Sequence, residues 1–226
     1  MKPLQKPQPL STRDAVYAWL KEAIIKLDLP PGAILSENDM SAKLQVSRTP
    51  VRESFVRLAQ EGLVQVLPQR GTVVSLIDLE LVEEGRFMRE QLERAVVRLA
   101  CEHFPEEAYN QMEHNLNKQA DSIASQNYYR MYELDEEYHR LLFAGVRRSM
   151  TWNAIQQMNT HLNRSRMLRL VDNHDWHPIF EQHTQILSAI RAQRADQAEQ
   201  LMKDHLNLHV IDQSKLKEKY PDYYKS

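Results

Sequence analysis

Apolar residues first recur at helical spacing, then alternate, then return to helical spacing for the rest of the chain. Val16, Leu20, Ala23, Ile24 and Leu27 share one face of a helix that opens at Ser11-Thr12-Arg13-Asp14. There a hydroxyl and a carboxylate can satisfy free amides, and Pro30-Pro31-Gly32 stops the helix. Ser36-Glu37-Asn38-Asp39 opens a short second helix with Met40 and Leu44 inward. Ser47 is placed to cap a third, where Pro50 is tolerated because first-turn amides have no helical acceptor. Val51, Phe55 and Leu58 form its buried stripe and Gly62 ends it. Val64-Gln65-Val66 and Thr72-Val73-Val74 predict two short strands around a turn at 68–71. Three helices followed by a hairpin predict a winged helix-turn-helix over 11–75.

From Asp78 the pattern is helical almost without a break, in six segments: 78–103, 106–126, 128–147, 150–170, 177–193 and 195–214. Met88, Leu92, Ala95, Val96 and Leu99 mark the inner face of the first, and Met112, Leu116, Ala120 and Ile123 that of the second. Short loops make neighbours antiparallel, so a mainly α chain with a six-helix bundle over 78–214 is expected. Tyr220 to Ser226 reads as a frayed tail. No apolar run approaches the length needed to span a bilayer, and Met1 to Leu10 is polar with no hydrophobic signal core. The expectation is a cytoplasmic protein with no membrane partner.

Composition sharpens the division. With 226 residues, 42% of them hydrophobic, the chain can pack a core in each of two domains. The net charge of −2 is unevenly spread: residues 1–75 hold ten Lys/Arg against seven Asp/Glu, and 76–226 nineteen against twenty-four. A mildly basic front and an acidic back suit a nucleic-acid-binding head on a sensing or assembling body. The single cysteine, Cys101, lies among Val96, Val97, Leu99 and Ala100. It reads as a small buried hydrophobe rather than a nucleophile.

The head carries the chemistry for double-stranded DNA. Arg48 and Arg52, four apart, project from one side of the third helix while Val51 and Phe55 face the core. An arginine can pair both acceptors of guanine at once, and a helix amide end suits phosphate. Ser47 and Thr49 would serve phosphate or base edges. In the tight basic turn Arg70-Gly71-Thr72, glycine permits close approach to the backbone or minor groove. A solvated basic face would explain any one arginine, but not the whole arrangement.

These residues resemble the DNA-binding domain of the GntR superfamily of bacterial regulators. Its signature Ser-Arg-Thr-Pro-Val-Arg-Glu, then Arg-Leu, Glu-Gly-Leu and a wing Arg-Gly, is matched at 47–53, 57–58, 61–63 and 70–71. One departure stands out: many members carry Glu-Arg early in the second helix, where this chain has Glu37-Asn38.

In the body, Asp135 and His139 are four apart on one predicted helix, His183 lies in the stripe Ile179, His183, Leu187, Ile190, and His205 in the stripe Ala198, Leu201, Met202, His205. Burying these groups unpartnered would cost roughly 1–3 kcal/mol each, and one divalent metal would satisfy them together. Taken singly, each histidine is better explained by a hydrogen-bonded core position than by ligation. His209, one turn past His205, is a substitute ligand.

Residues 78–214 resemble the FCD ligand-binding domain of the FadR subfamily, in the six-helix form of the VanR branch. Its motif Asp-x-x-x-His with one histidine in each of the last two helices is matched by Asp135, His139, His183 and His205. Its Arg-x-x-Leu-Glu is matched at Arg89, Leu92 and Glu93, and its arginine pair at Arg164 and Arg166. Within the subfamily the head and wing resemble enterobacterial repressors. The resemblance implies a homodimeric repressor reading a palindromic operator, with a divalent ion (zinc, nickel or manganese) and a small organic acid as effector. Four protein ligands would leave two positions of an octahedral ion for water or effector oxygens. Arg89 with Arg164 or Arg166 would hold the acid's carboxylate. A metal-responsive regulator, with the ion as signal, is the alternative. A helical metalloenzyme is the third reading, but Glu136-Glu137-Tyr138-His139 is a lone Glu-x-x-His where a di-iron bundle needs two, so no enzyme is expected.

Overall fold

A computed structural model describes residues 11–67, 71–172, 176–208 and 213–225. The chain divides into two units, one running to Ile77 with the stretch from Asp222, the other Asp78–Pro221.

In the first unit, α1 (Thr12–Ile25) is capped by Ser11, which accepts from the Asp14 amide, and α2 (Glu37–Leu44) by Ser36. The third helix, α3 (Arg48–Gln60), buries Val51, Phe55 and Leu58 against Val16, Leu20, Ile24 and Leu63. α1 stops at Ile25, ahead of the proline pair, because Leu27 turns left-handed (φ 65°) and Leu29 enters the core in its place. The hairpin is part of a three-stranded antiparallel sheet: β1 (Ile34–Leu35), β2 (Val64–Leu67) and β3 (Gly71–Val74), in the order β1-β3-β2. β1 escaped the sequence reading because two residues are too few to show alternation; Gly32 N–H donates to the Val74 carbonyl (2.9 Å) and seats it.

The C-terminal stretch is not a frayed tail. Tyr224 bridges Ile77, the Ile77 amide donates to the Tyr223 carbonyl at 2.8 Å, and Tyr224 is buried. Ile77 and Tyr224 are both buried where their backbones pair, and burial of two such apolar side chains outweighs the polarity of the surrounding residues.

The second unit is helical: α4 (Leu79–Glu102), α5 (Glu106–Ala124), α6 (Tyr128–Gly145), α7 (Ser149–Met158), α8 (Thr160–Asp172), α9 (His177–Arg191), α10 (Ala195–Asn207) and α11 (Gln213–Lys219). α4 packs chiefly on α10, and α5 on α6 and α9. The six expected segments are present, but the fourth breaks at Asn159 into α7 and α8, and the sixth ends at Asn207 with α11 separate. Ten of the thirteen residues of α8 are buried, so its polar side chains must find partners inside. Gly85 of α4 lets it approach Asn159: a Cβ there would lie 2.9 Å from Asn159 Oδ1.

Two inner faces are turned by about one residue from the expected ones. On α4 the buried line runs Gly85, Arg89, Glu93, Val96, Val97, Ala100, with Ala95 exposed. On α5 it includes Asn115, Gln119 and Ser122 beside Met112 and Leu116, with Ala120 exposed. Hydrophobic periodicity finds the apolar shoulder of each helix, whereas the centre of this bundle is polar. Among the described residues no helix is long and apolar enough to cross a membrane.

Candidate functional site

In the head, α3 presents Arg48 and Arg52 with side chains 58% and 64% exposed while Val51 and Phe55 are buried on the opposite face. Both arginines reach Glu37 at the start of α2: Arg52 donates through Nε and Nη2 to the two carboxylate oxygens (2.9 and 3.0 Å), and Arg48 Nη2 lies 3.4 Å away. The Arg52 hydrogen bond, chiefly, holds the Glu37 carboxyl below its ordinary range. These three residues form one wall of a groove of about 540 Å³, with Val66, Gly71 and Thr72 on the other. Ser47 takes the N-cap position of α3 but makes no side-chain cap bond, and no acid lies in the first turn. The amide end next to the exposed Thr49 is therefore neither capped by Ser47 nor faced by an acid of its own first turn. Thr72, in the central strand, is buried although it lines the groove. Gly71 adopts φ 92°. Arg70 lies outside the described residues, as does His209.

In the body, α6 carries Asp135 and His139 one turn apart, α9 carries His183 and α10 carries His205, all of them buried. Their ligand atoms lie within 4.8 Å of one another. His205 Nε2 is 3.2 Å from His139 Nε2 and 3.3 Å from His183 Nε2, and Asp135 Oδ1 is 3.6 Å from His183 Nε2. Each ring turns its other nitrogen outward: His139 Nδ1 to the Glu93 carboxylate, His183 Nδ1 to Gln119 Oε1 (2.9 Å), His205 Nδ1 to Gln182 Oε1 (3.1 Å). Ligands on adjacent positions of an ion about 2.0–2.1 Å away stand about 3.0–3.4 Å apart; the two His–His separations fall in that range and Asp135 Oδ1 stands slightly farther out, so the donor set fits a divalent metal in chemistry and in the spacing of its imidazoles. Burial drives the His183 pKa down from 6.5 to about 3, which keeps the ring in its ligating neutral form. Burial alone would raise the Asp135 pKa; the guanidinium of Arg166, chiefly, reverses this and holds it well below the usual range. Glu93 is likewise pushed up by burial and pulled down, to about 2, by Arg89 and His139.

These shifts share one sign. The unfolded chain takes up a proton at His183 below pH 6.5 while the folded chain resists until about 3, so stability present at neutral pH is lost as pH falls. Chelated protein should lose about 1.4 kcal/mol per pH unit from this residue between those limits, and the depressed carboxylates add to the loss below about pH 4. Urea titrations at pH 7, 5.5 and 4.5 measure this, and equal midpoints would contradict it.

Of the three arginines, Arg89 and Arg166 converge and Arg164 does not. Arg166 pairs with Asp135 and Glu136; Arg89 pairs with Glu93 and reaches Glu136 at 3.4 Å. Gln156 Nε2 donates to the other Glu136 oxygen at 2.7 Å. Arg164 points elsewhere on α8, to the Thr160 carbonyl and His161 Nδ1 (3.1 Å), and burial lowers its pKa to about 10. Among the described residues, Arg89 Nη2, Arg166 Nε and both polar atoms of the Asn159 amide are buried without a hydrogen-bond partner.

Glu136, Gln119, Asn115 and Gln182 were not singled out from sequence as site residues. Glu136 was quoted only inside Glu-x-x-His; the other three are neutral residues on faces read as apolar or solvated. The spacing Asn115, Gln119 on the buried side of α5 was the available signal.

Comparison with known proteins agrees with this architecture. The family model of bacterial regulatory proteins, gntR family, matches residues 12–74, and that of the FCD domain matches residues 85–208. The HTH-type transcriptional repressor RspR of Escherichia coli K12 is 33% identical over 203 residues, 90% of this chain and 88% of that protein. Escherichia coli McbR/YncC superposes with TM-score 0.80 at 19% identity, over 94% of this chain and all of the other, a likeness of fold. A GntR transcriptional regulator from Rhodococcus sp. RHA1 superposes with TM-score 0.74 at 26% identity, over 93% of this chain and all of the other.

Proposed function

This chain belongs to the gntR family of bacterial regulatory proteins, carries an FCD domain and is a transcription regulator; from that premise we propose a homodimeric repressor that reads a palindromic operator and responds to a small carboxylate at a metal site. Arg48, Arg52 and Thr49 enter the major groove, the open amide end of α3 takes a phosphate, and Arg70 and Gly71 of the wing follow the backbone. One small head reads too few base pairs to select a single genomic site, which supports two heads on a two-fold operator. Glu37 fixes the Arg52 guanidinium before DNA arrives, so less side-chain freedom is lost on binding. Arg52→Ala is expected to weaken operator binding by about 1–3 kcal/mol per half-site and to relax preference at one base pair. A salt titration by fluorescence anisotropy reads this, and wild-type affinity for the variant would refute the assignment.

The observation that carries the body's role is the convergence of three imidazole Nε2 atoms and one Asp135 oxygen, with every Nδ1 turned outward. Asp135, His139, His183 and His205 would hold the ion, which supplies positive charge and open coordination positions for an anionic effector. Arg89 and Arg166 line the same cluster, and their unpartnered buried N–H groups are donors for the effector's oxygens. Arg164, facing His161, does not join them. Elemental analysis of purified protein together with a thermal-shift screen of organic acids tests this reading; protein that takes up no zinc, nickel or manganese would end it.

One observation favours the ion as the signal instead. Glu136 already engages both Arg89 and Arg166, so the anion position is filled from within. An ion that exchanges on dialysis, with no acid altering operator affinity, would decide for that reading.

A further inference from the structure

Three consecutive hydrogen bonds end on His183 with only one consistent direction. Asn115 Nδ2 donates to the Leu134 backbone carbonyl (3.0 Å), Gln119 Nε2 donates to Asn115 Oδ1 (2.7 Å), and Gln119 Oε1 faces His183 Nδ1 (2.9 Å). A carbonyl can only accept, so the Asn115 amino group must face Leu134 and its oxygen must face Gln119. That oxygen in turn demands the Gln119 amino group, which leaves the Gln119 oxygen toward the ring. Reversing either amide would set oxygen against oxygen or amino group against amino group in a fully buried site. Asn115 is 3% exposed, Gln119 and His183 0%.

We infer that Asn115 and Gln119 are positioning residues: anchored on the Leu134 carbonyl, they hold the His183 proton on Nδ1 and so present a bare Nε2 to the cluster. In water a neutral imidazole favours its proton on Nε2, the nitrogen that must be bare to ligate. The chain of amides reverses that preference before any ion arrives. The anchor lies one residue before Asp135 on α6, the amides on α5 and the ring on α9, so the relay joins the helices that carry three of the four ligands. Tyr138 completes the hold on His183. Its ring stacks on the imidazole (centroids 4.0 Å apart, planes at 13°) and its hydroxyl donates to the His183 carbonyl at 2.9 Å. His139 meets the same requirement differently, through the Glu93 carboxylate, which can only accept.

The inference rests on the metal reading for its consequence but not for its first measurement. In chelated wild-type protein, nitrogen-15 imidazole shifts should place the His183 proton on Nδ1. Gln119→Met, of similar volume but without an acceptor, should return population to Nε2–H and weaken zinc binding about 10–100-fold in a chelator competition. Gln119→Glu keeps the acceptor toward His183 and should retain the Nδ1–H form; because its second oxygen meets Asn115 Oδ1 where the amino group stood, its readout is the tautomer and not the zinc affinity. A wild-type His183 protonated on Nε2, or an unchanged tautomer and zinc affinity in Gln119→Met, would overturn the relay. Should Gln119→Met fail to fold, the wild-type shifts and Gln119→Glu decide alone. Wild-type protein that binds no zinc while His183 keeps its proton on Nδ1 would sink the metal reading and leave the relay standing.

Discussion

Replacing Arg166 by Met is expected to destabilise the chelated helical unit by about 3–5 kcal/mol, a large part of the stability of an ordinary domain. The guanidinium pairs with Asp135 and Glu136, and its own charge is held on more firmly by them against the opposing effect of burial. Methionine fills much of the space but leaves the Asp135 carboxylate ionised, 3% exposed and without its main counter-charge. The loss should shrink when zinc is present, since an ion on Asp135 would supply positive charge from the other side. Leu at 135 together with Met at 166 removes both charges and should recover most of the stability while abolishing the site. Urea unfolding of wild type and the two variants, with chelator and with zinc, makes the comparison. A loss below about 1 kcal/mol for Arg166→Met would mean that water reaches the pair and that the cluster is not the closed site described above.

The same cluster explains which parts of the molecule were legible from sequence. In the head nearly every local signal agreed: Ser11 and Ser36 cap, Val51, Phe55 and Leu58 bury, and Gly62 turns at φ 72°. A small domain with one apolar core makes hydrophobic spacing and burial the same information. The exceptions needed long-range contacts, as with β1, which exists only because β3 lies beside it, and Tyr224, which packs against a residue about 150 positions earlier. In the body the four candidate ligands stand out because Asp and His are conspicuous on apolar stripes. Their supports do not, because Gln119, Asn115 and Glu136 look like surface residues until the helices close around them. The break at Asn159 was hidden for a related reason: α8 is polar in composition yet buried nearly all round, which no periodicity predicts.

Charge in this cluster leads to the second large effect. Glu93, Asp135 and Glu136 face Arg89 and Arg166, so three carboxylates meet two guanidinium groups. Without an ion the site is net negative and repels an acid; with a divalent cation it is net positive by one charge and suits a monoanion. At free zinc about 1,000 times its dissociation constant the folded state gains about 4 kcal/mol, so the loaded protein should melt well above the chelated one. Acetate, succinate and citrate serve as carboxylate probes, and any that binds should do so much more tightly to loaded protein. By linkage it must tighten zinc binding by the same factor. Glu136→Gln withdraws the internal carboxylate from both arginines and should strengthen probe binding further, whereas Arg164→Met, altering a side chain turned away from the cluster, should not. Calorimetry on loaded and chelated protein, wild type and Glu136→Gln, tests each step. Equal probe affinity with and without zinc would reduce the ion to a structural clasp, and unchanged affinity in Glu136→Gln would place the acid somewhere other than the Arg89–Arg166 pair.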